Sequence, residues 1–180
     1  MRCFIAVDVP EEVKEKIRQV QQEFAGFDAK LVEKENLHFT LKFLGEINEE
    51  EIKSVSEKLS ALANNFPPFS VLLSGMGAFP SLSYIRVVWI AAIADDFANL
   101  HKAVAETLEN AGKSEKEAVP HLTIARIRSA RDKEIMARII KRYEKESFGS
   151  MQVDKISLKK STLTPRGPIY EDIKVYELGK

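Results

Sequence analysis

Two short stretches of the chain carry the residue types best suited to proton transfer. They read His38-Phe39-Thr40-Leu41 and His121-Leu122-Thr123-Ile124, and they hold two of the three histidines in the sequence. An imidazole, with an ordinary pKa of about 6.5, can accept or donate a proton near neutral pH. The hydroxyl two residues later can donate a hydrogen bond. The two stretches therefore indicate acid–base chemistry.

Each stretch lies in an apolar run that is typical of a β-strand, Leu37 to Leu44 in one case and His121 to Ile127 in the other. Because successive side chains of a strand point to opposite faces, each histidine shares a face with the threonine two residues later. The intervening apolar residues share the other face. We expect that face to be buried, which leaves both His/Thr pairs on the open face.

The rest of the pattern predicts an α+β fold made of two duplicated β-α-β-α-β halves. Helices are predicted after the first strand, after Asn48 as an N-cap, after Asp95 or Asp96, and from about Ala130 to Tyr143. Further strands are predicted in five segments: 1–9, 69–79, 84–93, 153–164 and 169–178. A bend or bulge is expected at Gly75 and Gly77.

The spacing of the motifs supports the duplication. The two histidines are 83 residues apart, and each follows a predicted helix and precedes another at closely similar distances. Two repeats related by an approximate two-fold axis would bring equivalent strands, and with them the histidines, together. We expect residues 1–180 to form a single bilobal domain whose repeats surround His38 and His121.

The composition is that of a globular protein, with 44% hydrophobic and 30% charged residues. A formal net charge of 0 does not predict nucleic-acid binding by bulk electrostatics, but it allows a local basic groove. The single cysteine excludes an internal disulfide framework. With no leader or membrane-length apolar run in view, we expect a cytoplasmic monomer. Five basic residues are candidates for lining an RNA path: Lys42, Arg86, Lys159, Lys160 and Arg166.

Several stretches together resemble the 2H phosphoesterase superfamily, and most closely its RNA 2′,3′-cyclic phosphodiesterase branch, also called 2′-5′ RNA ligase. The resemblance covers nearly the whole chain, and two H-x-T-x motifs with these flanks are far more specific than one. The stretches that carry it are Phe4-Ile5-Ala6-Val7-Asp8, Glu35 to Gly45, Gly75 to Pro80, Pro120 to Arg126, and Ser161-Thr162-Leu163-Thr164-Pro165.

The resemblance implies a bilobal fold with antiparallel sheets around a central groove, an active site at His38 and His121, and no metal or other cofactor. The substrate it implies is an RNA end with a 2′,3′-cyclic phosphate, with tRNA fragments as one source. Thr40, Thr123 and Arg126 would bind the phosphate. Strict alternation from His121 puts Arg126 on the wrong face, unless a bulge re-aims it, the strand has ended, or its role is indirect.

Our hypothesis for the chemistry assigns His121 as the base that activates water and His38 as the acid for the 3′ oxygen, with a 2′-phosphate as product. The sequence does not orient the substrate, so the two roles can be exchanged. The same reaction with a 5′-hydroxyl in place of water would join RNA ends through a 2′-5′ bond. Two other functions stay open: an RNA- or nucleotide-binding module without turnover, and a phosphodiesterase for a small cyclic phosphate metabolite.

Overall fold

The computed structural model describes residues 1–112 and 120–180. Within these residues the chain forms an α+β fold of four α-helices and nine strands, which confirms the predicted fold class. The helices are α1 (Glu11–Gln21), α2 (Glu49–Asn65), α3 (Asp95–Thr107) and α4 (Lys133–Arg142). The strands are β1 (Arg2–Asp8), β2 (Ala29–Leu31), β3 (His38–Glu46), β4 (Phe69–Ser81), β5 (Tyr84–Ile93), β6 (His121–Ile127), β7 (Ser147–Val153), β8 (Lys155–Thr164) and β9 (Gly167–Glu177).

The strands form one antiparallel sheet in the order β7-β4-β5-β6-β3-β1-β8-β9, with β2 pairing with β6 outside this path. The order is symmetric about the contact between β3 and β6, the two strands that carry the His/Thr motifs. The halves exchange strands, since β4 pairs with β5 and β8 pairs with β1. The predicted division into two repeats within one domain stays a prediction.

Local sequence signals explain several element boundaries. Asn48 caps α2 as expected, because its side chain accepts a hydrogen bond from the Glu51 amide and the Glu51 carboxylate accepts one from the Asn48 amide. Gly75 has a positive φ of 88°, and the β4–β5 register shifts between Leu73 and Met76, which confirms the expected irregularity there.

The sequence analysis missed one strand, β7. The predicted strand 153–164 is β8 alone, and a separate strand, β7, precedes it. The pattern of β7 is interrupted by Gly149, which has a φ of 100°. Its buried residues, Phe148, Met151 and Val153, therefore lack the regular alternation that would have identified a strand.

The apolar faces of β3 and β6 are buried against helices. Phe39 of β3 packs edge-on against Phe97 of α3, with ring centroids 5.1 Å apart. Behind β6, the buried Gln21 of α1 donates a hydrogen bond to the carbonyl of Ile124 at 2.8 Å. With one face fixed to the core in this way, the opposite face of both strands stays open, as the alternation predicts.

Candidate active site

The open face of the central strands forms a cleft of about 940 Å³. This cleft is lined by all five predicted site residues, which are His38, Thr40, His121, Thr123 and Arg126. They come from two sequence segments that only the fold brings together. The volume is near the upper end of the range for small-molecule sites.

The two His/Thr segments meet because β3 and β6 are antiparallel neighbours, with Phe39 opposite Leu122. These two residues point into the core, with essentially no exposed surface. The histidine and threonine that flank each of them therefore point to the cleft side. Because the two strands are antiparallel, β3 and β6 run in opposite directions along the cleft from this contact.

A β-bulge brings Arg126 to the cleft. On β5, Val88 and Trp89 are consecutive, but their partners on β6 are Ala125 and Thr123, so β6 has one extra residue between them. The extra residue reverses the alternation, and Ala125 is buried while Arg126 is exposed. Of the three explanations that the sequence left open, the bulge is the one that the register supports.

Hydrogen bonds fix the orientation of the His38 ring. Its Nδ1 lies 2.6 Å from the backbone carbonyl oxygen of Asn36, and its Nε2 lies 2.9 Å from Oγ1 of Thr40. A carbonyl oxygen can only accept, so Nδ1 carries the proton and donates it. In the neutral ring, Nε2 then accepts a hydrogen bond from the Thr40 hydroxyl. Nε2 is therefore the nitrogen of His38 that can exchange a proton in the cleft.

The surroundings of His38 favour its neutral form. Its ring packs against those of Phe4 and Tyr170, at centroid distances of 5.1 and 5.2 Å. Burial is the largest effect and lowers the pKa of His38 from 6.5 to about 4, although the hydrogen bond to Asn36 and the negative charge of Asp8 act in the opposite direction. In the ligand-free protein, His38 is therefore a proton acceptor at neutral pH.

A charge cluster lies beside His38. Asp8 is directly opposite His38 in the β1–β3 register. The ammonium nitrogen of Lys159, a buried residue, lies 3.0 Å from a carboxylate oxygen of Asp8 and 2.6 Å from one of Asp172. Burial of a lysine is costly unless it is paired, and two carboxylates meet that requirement here.

His121 also lies against aromatic rings, which come from β4 and β5. Phe79 meets its ring edge-on at a centroid distance of 4.9 Å, and Trp89 lies 6.3 Å away. Trp89 in turn lies close to Gly77, where an added Cβ atom would come within 2.3 Å of the indole ring. Glycine at this position is therefore needed for the ring packing that supports His121.

The sequence did not identify two residues that line the cleft, Lys30 and His101. His101 lies at helical spacing from buried residues of α3, so its pattern indicated only a boundary position. It is half-buried as expected, and burial lowers its pKa, with smaller contributions from the nearby His121 and Lys42. Lys30 lies on a three-residue strand that is too short to show a periodicity.

The five basic residues proposed from the sequence for an RNA path do not line the cleft, with Lys42 and Lys159 being buried. Within the described part of the chain, no group of three or more His, Cys, Asp and Glu residues is arranged to hold a metal ion. In the same residues, no helix has the length and apolar character that a membrane crossing requires.

Comparisons with known proteins identify the family. The model of the LigT-like phosphoesterases matches residues 7–89 and again residues 90–170. A protein of Methanocaldococcus jannaschii named RNA 2′,3′-cyclic phosphodiesterase is 45% identical over 97% of this chain and 99% of its own length. One of Archaeoglobus fulgidus with the same name is 42% identical over 98% and 100%.

Solved structures agree with this result. A crystal structure of a Thermus thermophilus protein matches with a TM-score of 0.86 and 30% identity, over 99% of this chain and 98% of the other. The fold is also that of Escherichia coli LigT in complex with 3′-AMP, with a TM-score of 0.81 at 24% identity over 99% and 98% of the two chains. These matches confirm the resemblance found in the motifs. The chain belongs to the LigT-like phosphoesterase family.

Proposed function

We propose that this protein hydrolyses the 2′,3′-cyclic phosphate at RNA ends to a 2′-phosphate. The observation that carries the proposal is the meeting of two His/Thr pairs in one cleft of a LigT-like phosphoesterase. The substrate class is supported by full-length relatives named RNA 2′,3′-cyclic phosphodiesterase, at up to 45% identity.

In the proposed mechanism, His121 takes a proton from a water molecule as the water oxygen attacks phosphorus. The bond from phosphorus to the 3′ oxygen breaks, and His38 gives that oxygen a proton through Nε2. The products are a 2′-phosphate and a free 3′-hydroxyl. General acid–base assistance of this kind typically contributes roughly 10²–10⁴-fold to a rate.

The hydroxyls of Thr40 and Thr123 and the guanidinium of Arg126 are proposed to bind the non-bridging phosphate oxygens. Negative charge grows on these oxygens as water adds, and donors that are already in place stabilise that charge without reorganising. In the ligand-free protein the Thr40 hydroxyl is 2.9 Å from Nε2 of His38. A bound phosphate oxygen would replace this partner and free Nε2 for the leaving group.

The acid role of His38 depends on the substrate itself. With a pKa of about 4, His38 is neutral in the free protein near pH 7. The negative charge of a bound cyclic phosphate favours the imidazolium, so substrate binding raises this pKa and lets His38 take up the proton that it later donates. If the roles are exchanged, His38 accepts the proton from water without this step.

The same site is proposed to catalyse the same displacement with an RNA 5′-hydroxyl in place of water. That oxygen attacks phosphorus, the bond to the 3′ oxygen breaks, and a 2′-5′ bond forms. The cleft volume of about 940 Å³ favours this second activity, because two nucleotide ends have to bind together. Two alternatives are weaker. Nucleotide binding without turnover has no use for two proton carriers, and a small cyclic metabolite does not need so large a cleft.

The test is incubation of the purified protein, in EDTA, with a short RNA that ends in a 2′,3′-cyclic phosphate. Wild type should release a 2′-phosphate, while the His38→Ala and His121→Ala variants should leave the RNA largely unchanged. A 3′-phosphate product would contradict the direction of cleavage. RNA that is bound but unchanged would favour the binding module, and turnover of a baseless cyclic phosphate alone would favour the metabolite enzyme.

A further inference from the structure

A second cation lies beside Arg126 in the cleft. Lys30 on β2 is the direct cross-strand partner of Arg126 on β6, and both side chains line the cleft. Directly opposite residues of an antiparallel pair project from the same face of the sheet. The two charges therefore stand side by side, on strands that are about 4.8 Å apart.

The Lys30 side chain is held in place rather than free in solvent. Its Nζ donates a hydrogen bond to the backbone carbonyl oxygen of Arg166 at 3.0 Å, and it lies 3.8 Å from a carboxylate oxygen of Glu33. It packs against Gly167, where an added Cβ atom would come within 3.2 Å of Nζ. Lys30 thus joins β2 to the turn between β8 and β9, and the end of its side chain is fixed at the edge of the cleft.

We propose that Lys30 forms a second phosphate subsite, which binds the phosphodiester immediately upstream of the cyclic phosphate. This inference rests on the proposed function, in which Arg126 binds the cyclic phosphate. An ammonium group can donate three hydrogen bonds. The Arg166 carbonyl oxygen accepts one from Lys30 and the Glu33 carboxylate is 3.8 Å away, so Lys30 can still donate to a phosphate. A strand of RNA carries one phosphate per nucleotide, so adjacent cations along the cleft match adjacent phosphates.

The subsite predicts a preference for substrate length. A dinucleotide that ends in a 2′,3′-cyclic phosphate uses both Arg126 and Lys30, whereas the mononucleotide uses Arg126 alone. The substrate class is therefore the 3′ end of a single-stranded RNA chain, and free cyclic mononucleotides are poorer substrates. A partly exposed, charge-assisted interaction of this kind is expected to raise kcat/KM on the dinucleotide roughly fivefold to tenfold.

The experiment measures kcat/KM on the dinucleotide and on the mononucleotide for wild type, Lys30→Met and Lys53→Met. Lys30→Met should lose roughly fivefold to tenfold on the dinucleotide and less than about twofold on the mononucleotide. Lys53 is exposed on α2 outside the cleft, so Lys53→Met removes the same charge without touching the subsite. The slope of log kcat/KM against log salt should fall by about 0.7 for Lys30→Met on the dinucleotide only.

A change in the substrate gives an independent test that does not depend on the folding of a variant. A dinucleotide whose upstream linkage is a neutral methylphosphonate should be as poor a substrate for wild type as the natural dinucleotide is for Lys30→Met. Combined with Lys30→Met, it should cause no further loss, because the same ion pair is already absent. Lys30→Arg should retain most of the wild-type preference.

The subsite proposal would be overturned if Lys30→Met lowered kcat/KM equally on the dinucleotide and the mononucleotide, or lowered it on neither. Additive losses from Lys30→Met and the methylphosphonate would also overturn it. If wild type turns over neither substrate, the proposed function fails, and the subsite is then tested by binding alone. In that case a fluorescent dinucleotide that ends in a 2′-phosphate should bind wild type more tightly than Lys30→Met, and the corresponding mononucleotide should bind both equally.

Discussion

The two halves of the site have the same backbone plan and different chemistry. The β1–β3 pairing and the β5–β6 pairing match at five successive residue pairs, with a constant offset of 83 residues and a bulge at the same step. The burial patterns of β3 and β6 also agree over their first seven residues. The repeat therefore sets where side chains project, while their identity differs between the halves.

Three equivalent positions differ in a way that bears on function: Asp8 with Ala91, Phe4 with Val87, and Phe43 with Arg126. The His38 half has a carboxylate and an aromatic ring beside its histidine where the other half has small apolar residues. At the bulge, the His121 half presents a guanidinium, whereas its counterpart is a ring, Phe43, that is 49% exposed. The comparison teaches that a duplicated frame can favour the neutral form of one histidine while the other half supplies the guanidinium that is proposed to bind phosphate.

The largest expected effect comes from removing either histidine. His38→Ala and His121→Ala should each lower kcat/KM roughly 10²–10⁴-fold. A substrate with sulfur in place of the 3′ bridging oxygen separates the roles, since a thiolate leaves without an acid. That substrate should restore activity to His38→Ala and not to His121→Ala. Restoration of His121→Ala instead would show that the two roles are exchanged.

The second prediction concerns stability against pH. A histidine whose pKa is lowered in the folded state binds its proton only at a lower pH than it does in the unfolded state. The free energy of unfolding therefore falls as the pH drops from 6.5 toward 4. Relative to His38→Gln, wild type should lose about 3 kcal/mol of unfolding free energy over this range. Urea unfolding at several pH values measures the difference. A constant difference would show that the pKa of His38 is not lowered in the folded protein.

The third prediction compares the two bulges. Arg126→Met should weaken inhibition by inorganic phosphate roughly 10- to 100-fold, the size expected from the loss of hydrogen bonds from a charged group. Phe43→Met at the equivalent position should leave this inhibition constant nearly unchanged, because a ring donates no hydrogen bond to phosphate. Similar effects of the two substitutions would mean that Arg126 acts through the fold.

The smallest expected effect lies in the charge cluster beside His38. Asp8→Asn removes a negative charge that favours the imidazolium, so the pKa of His38 should move further down. Asp172→Asn is the matched control, because it takes a carboxylate from the same Lys159 without facing His38 in the register. NMR titration of the His38 ring protons measures both. An increase in the pKa of His38 in Asp8→Asn would contradict the effect assigned here to the Asp8 charge.

Much of the fold was predictable because it depends on local patterns. The apolar periodicity predicted the four helices, and alternation predicted most of the strands, though not β7, and the open face of His38 and His121. The placement of Arg126 was not predictable, because the bulge exists only relative to its partner strand β5. The position of Lys30 and the neutral state of His38 depend on the β8–β9 hairpin, through Arg166 and Tyr170, which are remote in sequence.

The exchange of strands between the halves has a consequence for how the chain is made. β1 is the first of the nine described strands to be synthesised, but its outer neighbour β8 is the eighth. One edge of β1 therefore stays unpaired on the ribosome until β8 has emerged, and unpaired edges can pair with wrong partners. Each half completes its part of the sheet with a strand of the other, so we expect the two halves to fold together, at the slower pace of folds dominated by distant pairings.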